Sequence, residues 1–584
     1  MVKERVCLGC NCIAECLDQE AKAVLWINDY YKRKAKKLQL YPENVSQYVM
    51  PGFWQTQEGF CRAKEYSMKV YGIVISNLAR QMDMMHHSRF GERGWNIILG
   101  DWLRVYIDGL YDKYARMKYA AEYYPKLFIK KSDIWYIPRG RFLSNSEILQ
   151  LQLCSDAYNA VYFQNTAVNM DDERYEVMEN ILMQAEKSEE RCGIRQRLLK
   201  VIKDLICRRD VTLYINTPYL ALSRLTLELL SGGRIRRLTL PDMPMPVNRI
   251  SVDKRKLLER NEDYGDAFIN LVYDCIWRHI PMECVEDFQN YYEVYQKSDL
   301  KVKTKIVDSN TVYGSFLFKI FVADAINHGG KLEIVQHGGN YCIEKYIGLW
   351  EFEIADKYYT WGNGFIAKNR YNMYEMPIPK TLSVKKRKRE SILFVGYANL
   401  PYVSIFRNFY SVKMDEMYED EDLFFRELQQ KGRKALRVRC YPVDPWWGRR
   451  DSLEQKFTWM KFDRNADYYT SMSEAKLVVA SLISTTCMES VNCDIPTIIF
   501  SSDVFFIPDE NAVEILDELR KVNVVFDDPK KAANFINSNL ECIDTWWEEP
   551  ERKAVVSRFR EMYASRGSFP KLKWIREMLK ECKT

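Results

Sequence analysis

The 584-residue chain contains no run of about 18 apolar residues, the length a helix needs to cross a bilayer. No transmembrane helix is therefore expected. Its opening residues, Met1-Val2-Lys3-Glu4-Arg5, lead into cysteine and polar residues rather than an apolar stretch, so no secretory signal is expected either. Histidine is scarce, with five in all. The pair His86-His87 has no obvious acidic or thiol partners, so no metal is expected there. Cys7 and Cys10 form one C-x-x-C, with Cys12 and Cys16 close by. The second C-x-x-C of the usual zinc frameworks is missing, and the segment reads as a turn of small residues. The chain has no G-x-x-x-x-G-K-[ST] and no G-x-S-x-G, which excludes a P-loop and a nucleophile elbow. Gly362-Asn363-Gly364-Phe365-Ile366-Ala367 comes nearest to a dinucleotide fingerprint. It has Ala in the third glycine position and lies late in its strand–helix block, so it reads as a turn. No nicotinamide or other cofactor is implied.

One-signed charge is also lacking. The 86 basic and 80 acidic residues leave a net +6, too balanced for a dedicated nucleic-acid binder. That balance still suits an anionic substrate, or peripheral contact with an anionic membrane surface. The 16 cysteines are scattered, several inside apolar runs, as at Cys154, Cys207, Cys275 and Cys493. This usage fits reduced thiols and a cytoplasmic setting. Tyrosine (38) and tryptophan (14) are abundant and read mainly as packing residues.

Apolar spacing of three and four predicts helices over 21–37, 65–84 and 95–119, so that 1–130 reads as a mainly helical N-terminal part. Alternation of strands and helices follows over 131–376. Strands are expected over 133–138, 211–216 and 236–240, helices over 219–230 and 264–296. The clearest unit is a strand over 303–307, a helix over 315–327 stopped by Gly329-Gly330, and a strand over 332–335. A further strand is expected at 358–361. Residues 377–390 read as a linker, with the basic run Lys385-Lys386-Arg387-Lys388-Arg389 as a solvated hinge. Alternation resumes over 391–545, and helices close the chain over 546–584. The expected fold is α/β, with two Rossmann-like doubly wound lobes facing a cleft. Ligands in such sheets bind outside the carboxyl ends of strands.

Two segments fall at such ends. Gln336-His337-Gly338-Gly339 follows an apolar strand directly. Its glycines allow a sharp turn and close approach to a ligand. His337 can bind a phosphate or exchange a proton near neutral pH. Ser484-Thr485-Thr486 stands between a strand and a helix. Hydroxyls and free N–H groups at a helix start form an anion site. Glu489, about one turn into that helix, is placed to reach ribose hydroxyls. Arg437 and Arg439 share one strand face. Arg439, nearer the carboxyl end, is the candidate phosphate ligand.

Taken together, 95–103, 330–341, 356–362, 437–441 and 484–500 resemble a family of transferases encoded in bacterial O-antigen and surface-carbohydrate loci. The resemblance covers most of the chain in the same order. The chain is similar, more distantly, to capsule Kdo transferases and CDP-glycerol glycerophosphotransferases, which carry a comparable His-Gly segment and hydroxyl-rich helix start. The resemblance implies a GT-B-like glycosyltransferase fold without a metal, and a nucleotide-linked donor held by the C-terminal lobe. In that reading His337 is catalytic. Gln336, Gly338, Gly339, Arg439, Ser484, Thr485, Thr486 and Glu489 bind the donor. Partners are then a nucleotide-sugar and a glycan or lipid-linked glycan acceptor. A CDP-polyol phosphotransferase and a non-enzymatic nucleotide-sugar-binding protein are the alternatives. Cys342 stands where the family pattern calls for glycine.

Overall fold

The computed structural model describes residues 6–130 except 13–16, 18–19, 42–43 and 125–126; residues 156, 159, 162–163, 166 and 175–178; residues 211–364 except 217–220 and 242–249; residues 371–376; and residues 389–583 except 399–405, 407–408, 442–446, 501–504 and 567–569. The strand expected over 133–138, Cys16, Cys154, Cys207, and the linker with its basic run up to residue 388 lie outside the described residues.

Three parallel sheets carry the fold. The first contains β1 (Val6–Gly9), β2 (Ala23–Trp26), β3 (Ser46–Val49), β4 (Leu127–Lys130) and β5 (Tyr175–Met178), in the spatial order β3-β2-β1-β4-β5. The second contains β6 (Leu213–Asn216), β7 (Ile235–Arg237), β8 (Lys305–Asp308), β9 (Lys331–Val335), β10 (Lys357–Thr360) and β11 (Met373–Glu375), in the order β11-β10-β9-β8-β6-β7. The third contains β12 (Ser391–Val395), β13 (Leu436–Arg439), β14 (Ala475–Ala480), β15 (Thr497–Phe500) and β16 (Val525–Phe526), in the order β13-β12-β14-β15-β16. In each sheet the chain first builds outward on one side and then restarts on the other. The restart lies between β1 and β4, between β6 and β8, and between β12 and β14. The second and third sheets, flanked by helices, are the two lobes of the expected GT-B-like α/β layout.

The mainly helical reading of 1–130 holds, and the first sheet adds strands that the reading did not include. Long helices are present there, at Gln57–His86 and Gly91–Tyr123, but strands surround them. Residues 21–37 are not one helix. Ala23–Trp26 is a strand buried on both faces, and the helix begins only at Asp29, where the Asn28 side chain accepts from Tyr31 N–H. A doubly buried strand lacks alternation, so its apolar run imitates a helix. The helix expected over 264–296 is three helices, Ala267–His279, Met282–Val285 and Phe288–Gln296. Pro281 caps the second, because a proline supplies no N–H to continue the first. In the third sheet the expected alternation is present, with the helix Thr485–Asn492 between β14 and β15.

The chain's end ties the lobes together. The helix Pro570–Glu581 returns to the second sheet, where Trp574 and Met578 pack with Leu213, Val307 and Val335. Lys305 Nζ pairs with Glu581 at 2.7 Å. The Gly362–Gly364 turn meets the helix Pro550–Tyr563. A Cβ on Gly362 would stand 2.2 Å from the Met562 carbonyl oxygen, and Gly364 N–H donates to that oxygen at 2.9 Å. Close backbone approach therefore explains this glycine pair. Among the described residues, no helix is long and apolar enough to cross a membrane.

Candidate functional site

The apolar residues Leu332, Ile334 and Val335 bury β9 in the second sheet. The chain leaves its carboxyl end through Gln336. Both ends of the Gln336 amide are used locally: Nε2 donates to Gly338 O at 2.8 Å, and Oε1 accepts from Trp361 N–H at 2.9 Å. Gln336 is buried and fixes the turn that presents His337 and the two glycines. It is placed to hold this loop's shape.

Gly339 then meets the other lobe. Its N–H donates to Thr485 Oγ1 at 2.8 Å. A Cβ on Gly339 would fall 2.6 Å from Thr485 N and 2.8 Å from Ser484 C. Only glycine permits this backbone-to-backbone contact. The two segments picked out by the sequence are therefore in direct contact. Beyond it the chain crosses between lobes. Tyr341 packs in the core of the second sheet and Ile343 in that of the third. Asn340 and Cys342 both adopt positive φ, 71° and 61°. Cys342 thus keeps the left-handed turn for which glycine is the usual residue. Its thiol is raised well above the ordinary value, by burial first and then by Asp509.

His337 is half-buried and backed by a cluster that the sequence reading did not anticipate. Its Nδ1 lies 4.0 Å from Glu351 Oε2, and its ring meets those of Tyr313 and Tyr341 at 5.9 and 5.5 Å. Glu351 is fully buried on the helix Leu349–Ile354. Three tyrosine hydroxyls donate to its carboxylate: Tyr341 at 2.5 Å, Tyr358 at 2.9 Å, and Tyr313. Burial, followed by the Glu351 charge, raises the Tyr358 hydroxyl well above the ordinary value. The Tyr358 hydroxyl therefore remains a donor. A buried carboxylate so held is a fixed negative charge behind the imidazole. The only sequence trace of it is an acidic residue within the apolar run Leu349-Trp350-Glu351-Phe352.

On the facing lobe, β14 ends at Ala480 and Ser484 takes an extended conformation (φ −149°) ahead of Thr485–Asn492. Its hydroxyl makes no capping bond back to the helix. Ser484, Thr485 and Thr486 are all partly exposed, so the helix start faces open space next to the His337 loop. Glu489 accepts from Tyr469 O–H at 2.6 Å. Arg439 is committed elsewhere. It pairs with Asp463 at 2.5 Å and donates to Asn465 O at 2.8 Å and Ala466 O at 3.3 Å. Burial alone would raise the Asp463 carboxyl, but hydrogen bonds from Ser471 and Arg439 outweigh it and hold the group below its ordinary value. The structure brings together His337, Gly338, Gly339, Ser484, Thr485 and Thr486. Arg439 instead braces the loop 463–466. Cys7 lies on the central strand β1 of the first sheet, and Cys10 and Cys12, just beyond its end, are buried in the same apolar cluster. Cys12 Sγ donates to Tyr31 O at 3.5 Å.

A second buried acid lies in the same sheet. Asp308, at the carboxyl end of β8, accepts from Val312 N–H at 2.9 Å through Oδ2, while Oδ1 has no hydrogen-bond partner among the described residues. Burial pushes this carboxyl up to about 7, against the pull of hydrogen bonds from Val312 and Thr311.

No curated protein matches the chain. Solved structures with partial likeness include MurG of Acinetobacter baumannii (12% identity, 63% of this chain and 99% of that one, TM-score 0.33). UGT89C1 of Arabidopsis thaliana, complexed with UDP, aligns at 13% identity over 66% and 96%, with TM-score 0.34. The wall teichoic acid polymerase TagF aligns at 10% identity over 50% and 85%, with TM-score 0.30. Over nearly its whole length, residues 7–578, the chain matches the LIC12162 family transferase description, and it belongs to that family of transferases.

Proposed function

We propose that this transferase is a glycosyltransferase moving a sugar from a nucleotide-activated donor to a surface polysaccharide or lipid-linked glycan. The carrying observation is the Gly339 N–H to Thr485 Oγ1 contact. It sets a histidine loop at one strand end against a helix start at another. In this reading the C-terminal lobe, 391–545, holds the donor, and 1–376 presents the acceptor. An acceptor hydroxyl attacks the anomeric carbon, and His337 takes its proton as the bond forms. The bond from that carbon to the donor phosphate breaks, and its electron pair leaves with the nucleotide. Free N–H groups of Thr485–Asn492 and the hydroxyls of Ser484 and Thr486 stabilise the charge that appears on the phosphate. Glu489 lies where a ribose hydroxyl would pass. Gln336 and Arg439 act by shaping the two loops. Work at a membrane-linked acceptor makes peripheral contact with the inner face of the cell membrane part of the same proposal.

The test is incubation with a panel of CMP-, CDP-, UDP- and GDP-linked sugars and CDP-polyols, read by the nucleotide released. Sugar-dependent release that is abolished in His337→Ala, with an unchanged melting profile, is expected. Release of CMP with transfer of a polyol phosphate would instead mark a polyol-phosphate transferase. Stabilisation by nucleotide without release from any donor would mark a binding protein.

A further inference from the structure

A hollow on the first sheet lies outside the two strand ends described above. A cavity of about 490 Å³ opens at the carboxyl ends of β2 and β3. That is where parallel sheets place ligands, and the volume is that of a small-molecule site. One wall is built by Asn28, Asp29, Tyr30 and the loop 50–55. The other wall comes from the C-terminal lobe, through residues 412–416 and Trp447.

Contacts on either side hold the two walls in place. Arg33 pairs with Asp415 at 2.9 Å, and Gln55 Nε2 donates to Val412 O at 3.1 Å. The Tyr30 and Trp447 rings lie 6.0 Å apart, centroid to centroid. The cavity wall is also packed against the donor side. Met414, which lines the cavity, packs in one cluster with Leu482, two residues before Ser484.

The lining sets the ligand class. Three half-buried rings, Tyr30, Phe53 and Trp447, offer faces. The cations are already matched. Arg116 pairs with Asp112 at 2.9 Å and lies over the Phe53 ring, and Lys413 pairs with Glu416 at 2.9 Å. Asp415 pairs with Arg33 and Glu416 with Lys413, so Asp29 is the lining charge without an ion pair among the described residues. A nucleotide or other polyanion would meet net repulsion there. An uncharged molecule rich in hydroxyls would find ring faces to stack on and carboxylates and amides to receive its hydroxyl hydrogens.

We propose that this cavity is a binding site for an uncharged glycan segment, holding an acceptor chain beside the transfer site. The binding claim stands on the cavity alone. Its role as acceptor site rests on the glycosyltransferase reading.

The full-length protein is applied to immobilised neutral and acidic oligosaccharides of bacterial surface type. Binding to one or more neutral oligosaccharides is expected. Tyr30→Ala and Trp447→Ala should each weaken it by roughly tenfold, about the loss of one stacking contact. Tyr30→Phe should keep most of it, as a check against misfolding. His337→Ala should lose transfer while it still binds the immobilised glycan, which separates failure of this site from failure of the transfer chemistry. Preference for acidic glycans, absence of any neutral hit, or neutral binding that survives both alanine variants overturns the proposal.

Discussion

The strand ends β9 and β14 meet across one hydrogen bond, and they are built on opposite principles. After β9, the candidate site is assembled from side chains: His337 in front, Glu351 buried behind it, and tyrosine hydroxyls closing the carboxylate in. After β14, it is assembled from backbone and hydroxyls left open at the start of Thr485–Asn492. The first arrangement suits moving a proton, which needs a positioned base with a fixed charge near it. The second suits receiving an anion, which needs several donors and no competing charge. The comparison teaches where each half is vulnerable. The β9 side should fail when buried partners change, and the β14 side when exposed donors are removed. Both should fail when the contact between them is forced apart.

That last point gives the largest expected effect. In Gly339→Ala the new Cβ would meet backbone atoms of Ser484 and Thr485 at 2.6–2.8 Å, and backbone cannot swing aside. A displacement of about 1 Å at this contact should cut transfer roughly 100-fold. Gly338→Ala is the control, because its Cβ would meet Thr485 Oγ1 at 3.4 Å and Tyr341 Cε2 at 4.0 Å, ordinary contacts with side chains. It should change initial rates by no more than about threefold. Equal losses in the two variants would mean that the close contact does not register the two halves.

The next effect belongs to the buried side. Glu351→Gln removes the charge behind His337 and replaces half of a pure acceptor with a donor that three tyrosine hydroxyls cannot use. Transfer should lose about 10- to 100-fold, the usual range for a residue that orients a functional group. Because Glu351 is fully buried, the loss should fall on kcat while the donor KM holds. A rise in donor KM with kcat intact would place Glu351 outside the proton-handling machinery.

How much of this was legible follows from the same contrast. The β14 side could be read almost residue by residue. A strand, a polar break and a helix start occur in sequence order, so local pattern and local structure coincide. The position of His337 at a strand end was equally legible, since Gly329-Gly330 and Gly338-Gly339 bracket a short apolar run. Its backing was not. Tyr313 and Tyr358 reach Glu351 from 38 and 7 residues away, and nothing local marks them. The first sheet was missed for another reason. Its strands are four residues long and β1 and β2 are wholly buried, so they show neither the length nor the alternation that identifies a strand. The cavity at its carboxyl edge was invisible with it. Arg439 shows a third kind of miss. Strand alternation gave its face correctly, but its ion pair with Asp463 joins segments 24 residues apart.

A smaller effect tests the open side. Thr486→Val removes one exposed hydroxyl at the helix start and little else, since Val matches its shape. The nucleotide should bind roughly tenfold more weakly, the worth of one hydrogen bond to a charged group. The melting profile should be unchanged. Titration calorimetry with the nucleotide found in the release assay measures it. Unaltered affinity would move the phosphate away from this helix start, leaving the facing loop to hold it.

The smallest effect on transfer, and the most specific for stability, concerns Asp308. Its carboxyl is pushed up to about 7 by burial, whereas in the unfolded chain it would titrate near about 3.9. Between roughly pH 4 and pH 7 the unfolded chain has released a proton that the folded chain still holds. Stability due to this group therefore falls as pH rises through that window and levels off above it. Asparagine keeps the acceptor for Val312 N–H and never ionises. Asp308→Asn should match wild type near pH 4 and become the more stable form by pH 8, as read from denaturant midpoints. Because Asp308 has no exposed surface, transfer should stay within about threefold of wild type, the loss reserved for groups that touch neither substrate nor a catalytic partner. A collapse of transfer in this variant, at pH values where it is the more stable protein, would overturn the division of labour drawn above. The proton would then leave the acceptor toward β8, and His337 would be left as a ligand of the donor phosphate.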